Sequence, residues 1–382
     1  MKNIVNDNKV LKENNRIYSL ELLRIVSMLM ILILHFFAYT SVKEFCIPFS
    51  ANYFFSVILN SVCAVSVNCY VLISGYFCLK SKFNFHKLLL LFSEVWFYSV
   101  SIYILLVLTN NLDFSLKDMF FNFFPVLTRQ YWFITTYIGV YILSPIIKIV
   151  SKKLEKNEHL ALLLTGFVLF VVYYNFFFFC DNLNFGGATG IVWFIYLYFC
   201  GTFLSKYYNS DYNWKKHLKR YLLVELMAIA SFVPFWTLYF ITKKNIFLEG
   251  ASVFDSVYNS IFVFISSIFF FILFLNINFK PKNILKKIID SLAISSFAVS
   301  LIHENRYIRD ILWNTLIGNN YESIFNILIC CLITIMLIYI ICWFIDQIRI
   351  FIFRYTLNNL FVKNYFLCFQ LILEKKWEEN IK

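Results

Sequence analysis

The sequence predicts an all-α integral membrane protein, a bundle of about ten transmembrane helices with both termini cytoplasmic. Three observations lead there. The 382-residue chain is 60% hydrophobic and 21% aromatic with 15% charged residues, and its mean hydropathy of +0.70 is far above that of a soluble domain. Apolar stretches long enough to cross about 30 Å of hydrocarbon recur along it. Lysines and arginines alternate between the connecting segments, 26 in one set and 7 in the other, with Arg24 inside a span completing the 34. Such a bias places the basic set, termini included, on the cytoplasmic side. The net charge of +12 follows the membrane in this way, so no nucleic-acid partner is expected.

The spans run in order. The first, 18–39, is apolar except for Glu21, Arg24 and His35. The second, 53–78, ends in SGYF; the third, 88–109, contains Glu94; the fourth, 131–150, opens on Tyr131 and Trp132. The fifth, 159–180, includes the run Val171 to Phe179, which suits only lipid or neighbouring membrane helices. The sixth is 190–206, the seventh, 221–242, contains Glu225, and the eighth is 256–277. The ninth, 288–304, is short and polar at its outer end, where His303 and Glu304 stand, and the tenth is 323–345.

The chain therefore divides into a cytoplasmic segment 1–17, a ten-helix membrane domain 18–345 and a tail 346–382. The tail mixes Arg354, Lys363 and asparagines with aromatics, the composition of an interfacial helix. The first 16 residues are polar and the apolar stretch after them is long enough to span, which argues for a retained anchor rather than a cleaved signal. Ten cysteines are scattered without a CxxC pair, so neither a disulfide framework nor a metal site is expected.

Charges inside a span need a reason, because an arginine near the bilayer centre costs roughly 2.5–3.5 kcal/mol on insertion scales. Eleven residues separate Arg24 from His35, which at about 100° per residue returns to within about 20° of the same face, roughly 16 Å along the axis. Glu21 stands three positions before Arg24 and can pair with it. Glu21, Arg24, Glu94 and Glu225 fall in the cytoplasmic half, while His35 and His303 fall in the outer half at a common height. The site is thus reachable from two sides. The bland alternative is interhelical glue: Arg24 pairing with one of the glutamates, and the histidines bonding across helices. His86, His159 and His217 belong to inner boundaries or loops and are expected to be solvated.

The R-x10-H spacing sits in ELLRIVSMLMILILH, which resembles the first helix of the acyltransferase-3 family of bacterial integral membrane acyltransferases. VNCYVLISGYF, YWFITTYIGVYILSPII, WFIYLYFCGTFLSKY and SSFAVSLIH are similar to later segments of that family, in family order. The resemblance covers roughly residues 16 to 345. It implies transfer of an acyl group, acetyl in the first instance, from cytoplasmic acyl-coenzyme A to a surface or secreted glycan or a lipid-linked sugar. The setting would be a multi-pass protein of the bacterial plasma membrane.

His35 is then the catalytic residue, with Glu21 in the catalytic set beside it. An imidazole with an ordinary pKa near 6.5 can take the proton of a sugar hydroxyl as it attacks a thioester, although a transient acyl-imidazole is also chemically open. Arg24 suits coenzyme A phosphates. Lys80, five after Gly75, stands where the family commonly has arginine, and a lysine keeps the charge but loses bidentate geometry. His303, Tyr131 and Trp132 are assigned to the acceptor, the last two for stacking on a sugar or, alternatively, as an interfacial belt. Ala298 and Ser300 replace a common glycine and tyrosine of the family. Gly75 is read as a close helix contact rather than an oxyanion hole.

Two other classes compete. A transporter or flippase of sugar intermediates would use the Glu21, Arg24 and His35 stripe as its pathway, but no inverted repeat is visible. A glycan polymerase would call for a large outer loop with several arginines, and the longest here are about 20 residues with two basic residues each.

Overall fold

The computed structural model describes residues 16–47, 49–176, 187–243, 257–315 and 321–359, together with 362, 364–366 and 370. Residues 1–15 and 371–382, and with them most of the N-terminal segment and the end of the tail, lie outside the described residues. The described chain is helical, without a strand.

Ten principal helices follow one another: α1 (Tyr18–Tyr39), α2 (Ala51–Cys78), α3 (Phe85–Leu108), α4 (Trp132–Lys153), α5 (Lys156–Phe176), α6 (Ile191–Tyr207), α7 (Trp214–Thr242), α8 (Ile261–Leu275), α9 (Asn283–His303) and α10 (Ile324–Tyr355). Seven described helices, α1 to α5, α7 and α10, are long and apolar enough to cross a membrane. The other three fall outside that class for visible reasons. Helices α6 and α8 are shorter, and α9 carries Lys286, Lys287 and Asp290 in its first turns.

Helix starts follow side-chain chemistry. Ser50, Asn84, Asn213, Ser260 and Ser323 each precede a helix and accept a hydrogen bond from the backbone N–H three residues on. Glu155 and Glu158 form a reciprocal capping box that opens α5. At the opposite kind of end, Lys206 donates to the carbonyls of Ser151, Lys152 and Leu154 where α4 finishes.

The interior divides into two apolar clusters. One gathers α2, α6 and α8 around Leu72, Trp193 and Phe271; the other gathers α3, α9 and α10 around Tyr98, Leu301 and Ile338. Helix α1 feeds both, giving Leu20, Leu23 and Met30 to the first and Met28, Leu32 and Phe36 to the second. It therefore stands between them. Helices α2 and α6 cross at backbone contact: a Cβ on Gly75 would lie 2.7 Å from the Tyr198 carbonyl oxygen, and one on Gly201 would lie 2.6 Å from the Tyr76 nitrogen. Gly75 is the close helix contact expected from the sequence.

Two features differ from the sequence expectation. The tenth helix does not end at residue 345 but continues unbroken to Tyr355. It can do so because its polar residues are mutually satisfied: Arg349 bonds Asp346 at 2.6 Å and approaches Glu94 of α3 at 3.3 Å, while Tyr98 donates to Asp346 at 2.6 Å. The three inner histidines are buried rather than solvated. His86 and His159 bond the carbonyls of Leu357 and Phe199, and His217 bonds Asp211 at 3.1 Å. Each found a local acceptor that hydropathy does not reveal. The hydrogen bond from Lys216 holds the exposed Asp211 carboxyl well below the usual carboxylate range.

Candidate functional site

The site grows from α1. His35 stands on its fifth turn, partly exposed to a cavity, and His303 ends α9 fully buried behind it. His35 Nδ1 lies 2.8 Å from His303 Nε2, and His303 Nδ1 lies 2.5 Å from the Val299 carbonyl oxygen. A carbonyl only accepts, so Nδ1 of His303 bears the proton and its Nε2 presents a lone pair. His35 Nδ1 must then donate to that lone pair. The remaining nitrogen of a neutral His35, Nε2, is left bare.

Glu304, the residue after α9, brings Oε1 to 3.1 Å from His35 Nδ1 and 3.9 Å from His303 Nε2. That oxygen is buried without an aligned hydrogen-bond partner among the described residues. Tyr39 packs its ring 5.2 Å from that of His35, Arg309 lies over Tyr39 at 4.7 Å, and the buried Trp313 ring sits 6.3 Å from His303.

A cavity of about 410 Å³ opens beside His35 and is lined also by Glu304, Tyr131, Trp132, Tyr258, Tyr70, Glu94 and Arg24. Trp132 stacks on Tyr258 with centroids 5.9 Å apart and planes 17° from parallel. The Tyr131 hydroxyl accepts from the Asn305 side chain at 3.0 Å, which fixes it beside the end of α9.

A second cavity, about 390 Å³, lies toward the basic end and is lined by Arg16, Glu21, Arg24, Lys82, Lys87 and Lys148 among others. The two cavities share Arg24, Ser74, Leu91 and Tyr137 in their walls. Arg24 is held there by Glu21 at 2.8 Å, while Tyr70 donates to its backbone carbonyl at 2.8 Å and Ser74 bonds Tyr137 at 3.1 Å.

A family model described as an acyltransferase domain matches residues 17–360, nearly the whole chain. The chain belongs to the acyltransferase-3 family. No curated protein and no solved structure matches it.

Within this membrane acyltransferase the residues singled out in the sequence separate into groups. His35, Arg24, Tyr131 and Trp132 all line one cavity. His303 backs His35 without facing that cavity. Glu21 is bonded to Arg24 and lines only the basic cavity, so the carboxylate that reaches His35 is Glu304 instead. Lys80 lines neither cavity; its ammonium lies 4.6 Å over the Tyr76 ring, whereas Lys82, Lys87 and Lys148 line the basic one. Glu225, accepting from Ser61 at 2.9 Å, is buried among α2 and α7, away from both.

Sequence reasoning missed Glu304, Tyr258 and Lys148 as parts of the candidate site. Glu304 adjoined His303 and could have been found from that adjacency. Tyr258 meets Trp132 only through the tertiary fold, and Lys148 read as one more inner-loop charge.

The arrangement offers an imidazole nitrogen free to take a proton, a hydrogen-bonded pair behind it to hold its tautomer, a stacked aromatic wall and a cationic chamber on the other side of Arg24.

Proposed function

We infer that this acyltransferase moves an acetyl or similar acyl group from cytoplasmic acyl-coenzyme A to a hydroxyl of a glycan or lipid-linked sugar on the outer side of a bacterial plasma membrane. The observation that carries this is the meeting of two cavities at Arg24, one cationic and one ending at His35. A donor rich in phosphate needs the first, and a weak nucleophile needs a base in the second.

Lys82, Lys87, Lys148 and Arg24 pair with the coenzyme phosphates, and the thioester arm passes Ser74 and Tyr137 toward His35. The sugar stands against Trp132 and Tyr258. His35 Nε2 takes the hydroxyl proton as the oxygen attacks the thioester carbonyl, the C–O bond forms and the C–S bond breaks. The same proton then passes from Nε2 to the departing sulfur, giving the ester and coenzyme A thiol. His303 and Glu304 face the Nδ1 side of His35, where the imidazolium formed in mid-reaction is stabilised.

The test is coenzyme A release by the purified protein in nanodiscs, given acetyl-coenzyme A and a panel of oligosaccharides. Release that depends on the acceptor is the expected result. A transporter of sugar intermediates would release none, and that outcome would end this assignment.

A further inference from the structure

We propose that His35, His303 and Glu304 form a zinc-binding site, through which Zn²⁺ switches the acyltransferase off by moving a proton from one nitrogen of His35 to the other. The proposal rests on the His35 base assignment only for the inhibitory step; the metal site stands on its own geometry.

Three ligand atoms converge. His35 Nδ1, His303 Nε2 and Glu304 Oε1 lie within 4.8 Å of one another, at separations of 2.8, 3.1 and 3.9 Å. These bracket the edge, about 3.3 Å, of a tetrahedron built on Zn–N and Zn–O bonds of roughly 2.0–2.1 Å. Two imidazoles and a carboxylate are a ligand set that zinc accepts, and two of the three residues, His35 and Glu304, also line the cavity.

Two further details favour a ligand there. Glu304 Oε1 is buried and, among the described residues, has no aligned hydrogen-bond donor, although it stands 3.1 Å from His35 Nδ1, so an acceptor is aimed at the cluster. His303 donates its Nδ1 proton to the Val299 carbonyl, the outer-shell bond that orients an imidazole and leaves Nε2 free for a metal.

The consequence for catalysis comes from proton bookkeeping on one ring. A metal on His35 Nδ1 requires that atom to be bare. The single proton of the neutral imidazole therefore moves to Nε2, the atom that has to be bare for the acceptor hydroxyl. No proton is gained or lost by the ring, and no redox step occurs. Zinc thus disables the base without touching the nitrogen that does the chemistry.

The experiment is calorimetric titration of the purified protein in nanodiscs with ZnCl₂, run alongside coenzyme A release. One Zn²⁺ per chain is expected, with release inhibited in step with occupancy and restored by EDTA. His303→Ala and Glu304→Gln should each weaken zinc binding by at least about 10–100-fold, as loss of even an outer-shell partner does. His217→Ala, at the separate His217 and Asp211 pair, serves as a control and should leave that binding unchanged. Binding is read directly, so variants that lose activity remain informative, and helical circular dichroism checks that they fold. Absence of stoichiometric binding, or binding unmoved by both variants, overturns the site. Binding that leaves release uninhibited overturns the switch. Ligand-dependent binding in a protein that never releases coenzyme A keeps the site and removes the acyl-transfer assignment instead.

Discussion

His35 and His303, 268 positions apart in sequence, are hydrogen-bonded ring to ring at 2.8 Å. That bond joins the first helix of the bundle to the ninth and fixes which nitrogen of His35 faces the cavity. The orientation of His35 therefore depends on the packing of α1 against α9.

Replacing His35 by alanine should lower kcat by about 10²–10⁴-fold, the usual worth of a positioned base. The protein should still fold, since His35 is partly exposed to a cavity and bears no backbone role. Coenzyme A release together with a thermal melt checks both halves, and activity within a few fold of wild type would show that another group takes the proton.

Glu304→Gln removes the negative charge beside His35 Nδ1 while keeping the shape. Charge-assisted contacts contribute about 1.5–3 kcal/mol, so kcat should fall roughly 10–100-fold. KM for acyl-coenzyme A should stay put, because Glu304 lines only the His35 cavity and not the basic one. Steady-state kinetics against donor concentration separate the two parameters.

Among the basic residues the structure discriminates. Arg24→Ala and Lys148→Ala should each raise KM for acyl-coenzyme A about tenfold or more through the loss of a charged contact. Lys80→Ala should change it less than about twofold, since Lys80 sits over Tyr76 outside both cavities. Equal effects from all three would point to a diffuse electrostatic attraction in place of a defined chamber.

At the α2–α6 crossing, Gly201→Ala should destabilise by about 1–3 kcal/mol, the range for forcing a methyl into a packed interior. Its Cβ would meet the Tyr76 nitrogen at 2.6 Å and the Leu72 carbonyl at 2.7 Å, and neither is a side chain that can swing away. A detergent melt reads the shift; an unchanged midpoint would mean that the crossing is looser than described.

Arg349→Met should be the costliest of these changes, about 3–5 kcal/mol, because it leaves the buried Asp346 and the half-buried Glu94 carboxylates without their cation. Adding Asp346→Asn should recover part of the loss. Melts of the single and double variants, compared as a cycle, give the coupling.

The Arg24 to His35 stripe was legible because a helix converts spacing into direction, and the common height of the two histidines came from counting turns. Their actual contact was one step beyond, since turn counting gives depth but not which helices adjoin. Arg349 was hidden by its own solution: paired with Asp346 and Glu94 it rides inside a helix, yet in sequence it reads as the polar start of a tail. Lys80 falls outside the two cavities for a reason of the opposite kind. Lys80 and Lys82 are two positions apart, but only one of them faces the cavity, and side-chain direction at the end of a helix is not written in composition. Trp132 and Tyr258 come together only because α4 and the entry to α8 adjoin, which no local pattern encodes.

Where the two cavities meet stands Arg24, and its charge has an effect beyond the proposed phosphate binding. A protein that lets two water-soluble reactants approach one another within a bilayer has thinned the insulation between two compartments held at different voltages. Glu21, its partner at 2.8 Å, lines only the basic cavity, so a sodium, potassium or hydronium ion entering from the His35 side meets the guanidinium and is repelled, as by an arginine in water-selective pores. The side chain proposed to admit an anionic coenzyme would also keep the membrane electrically tight while no substrate is bound.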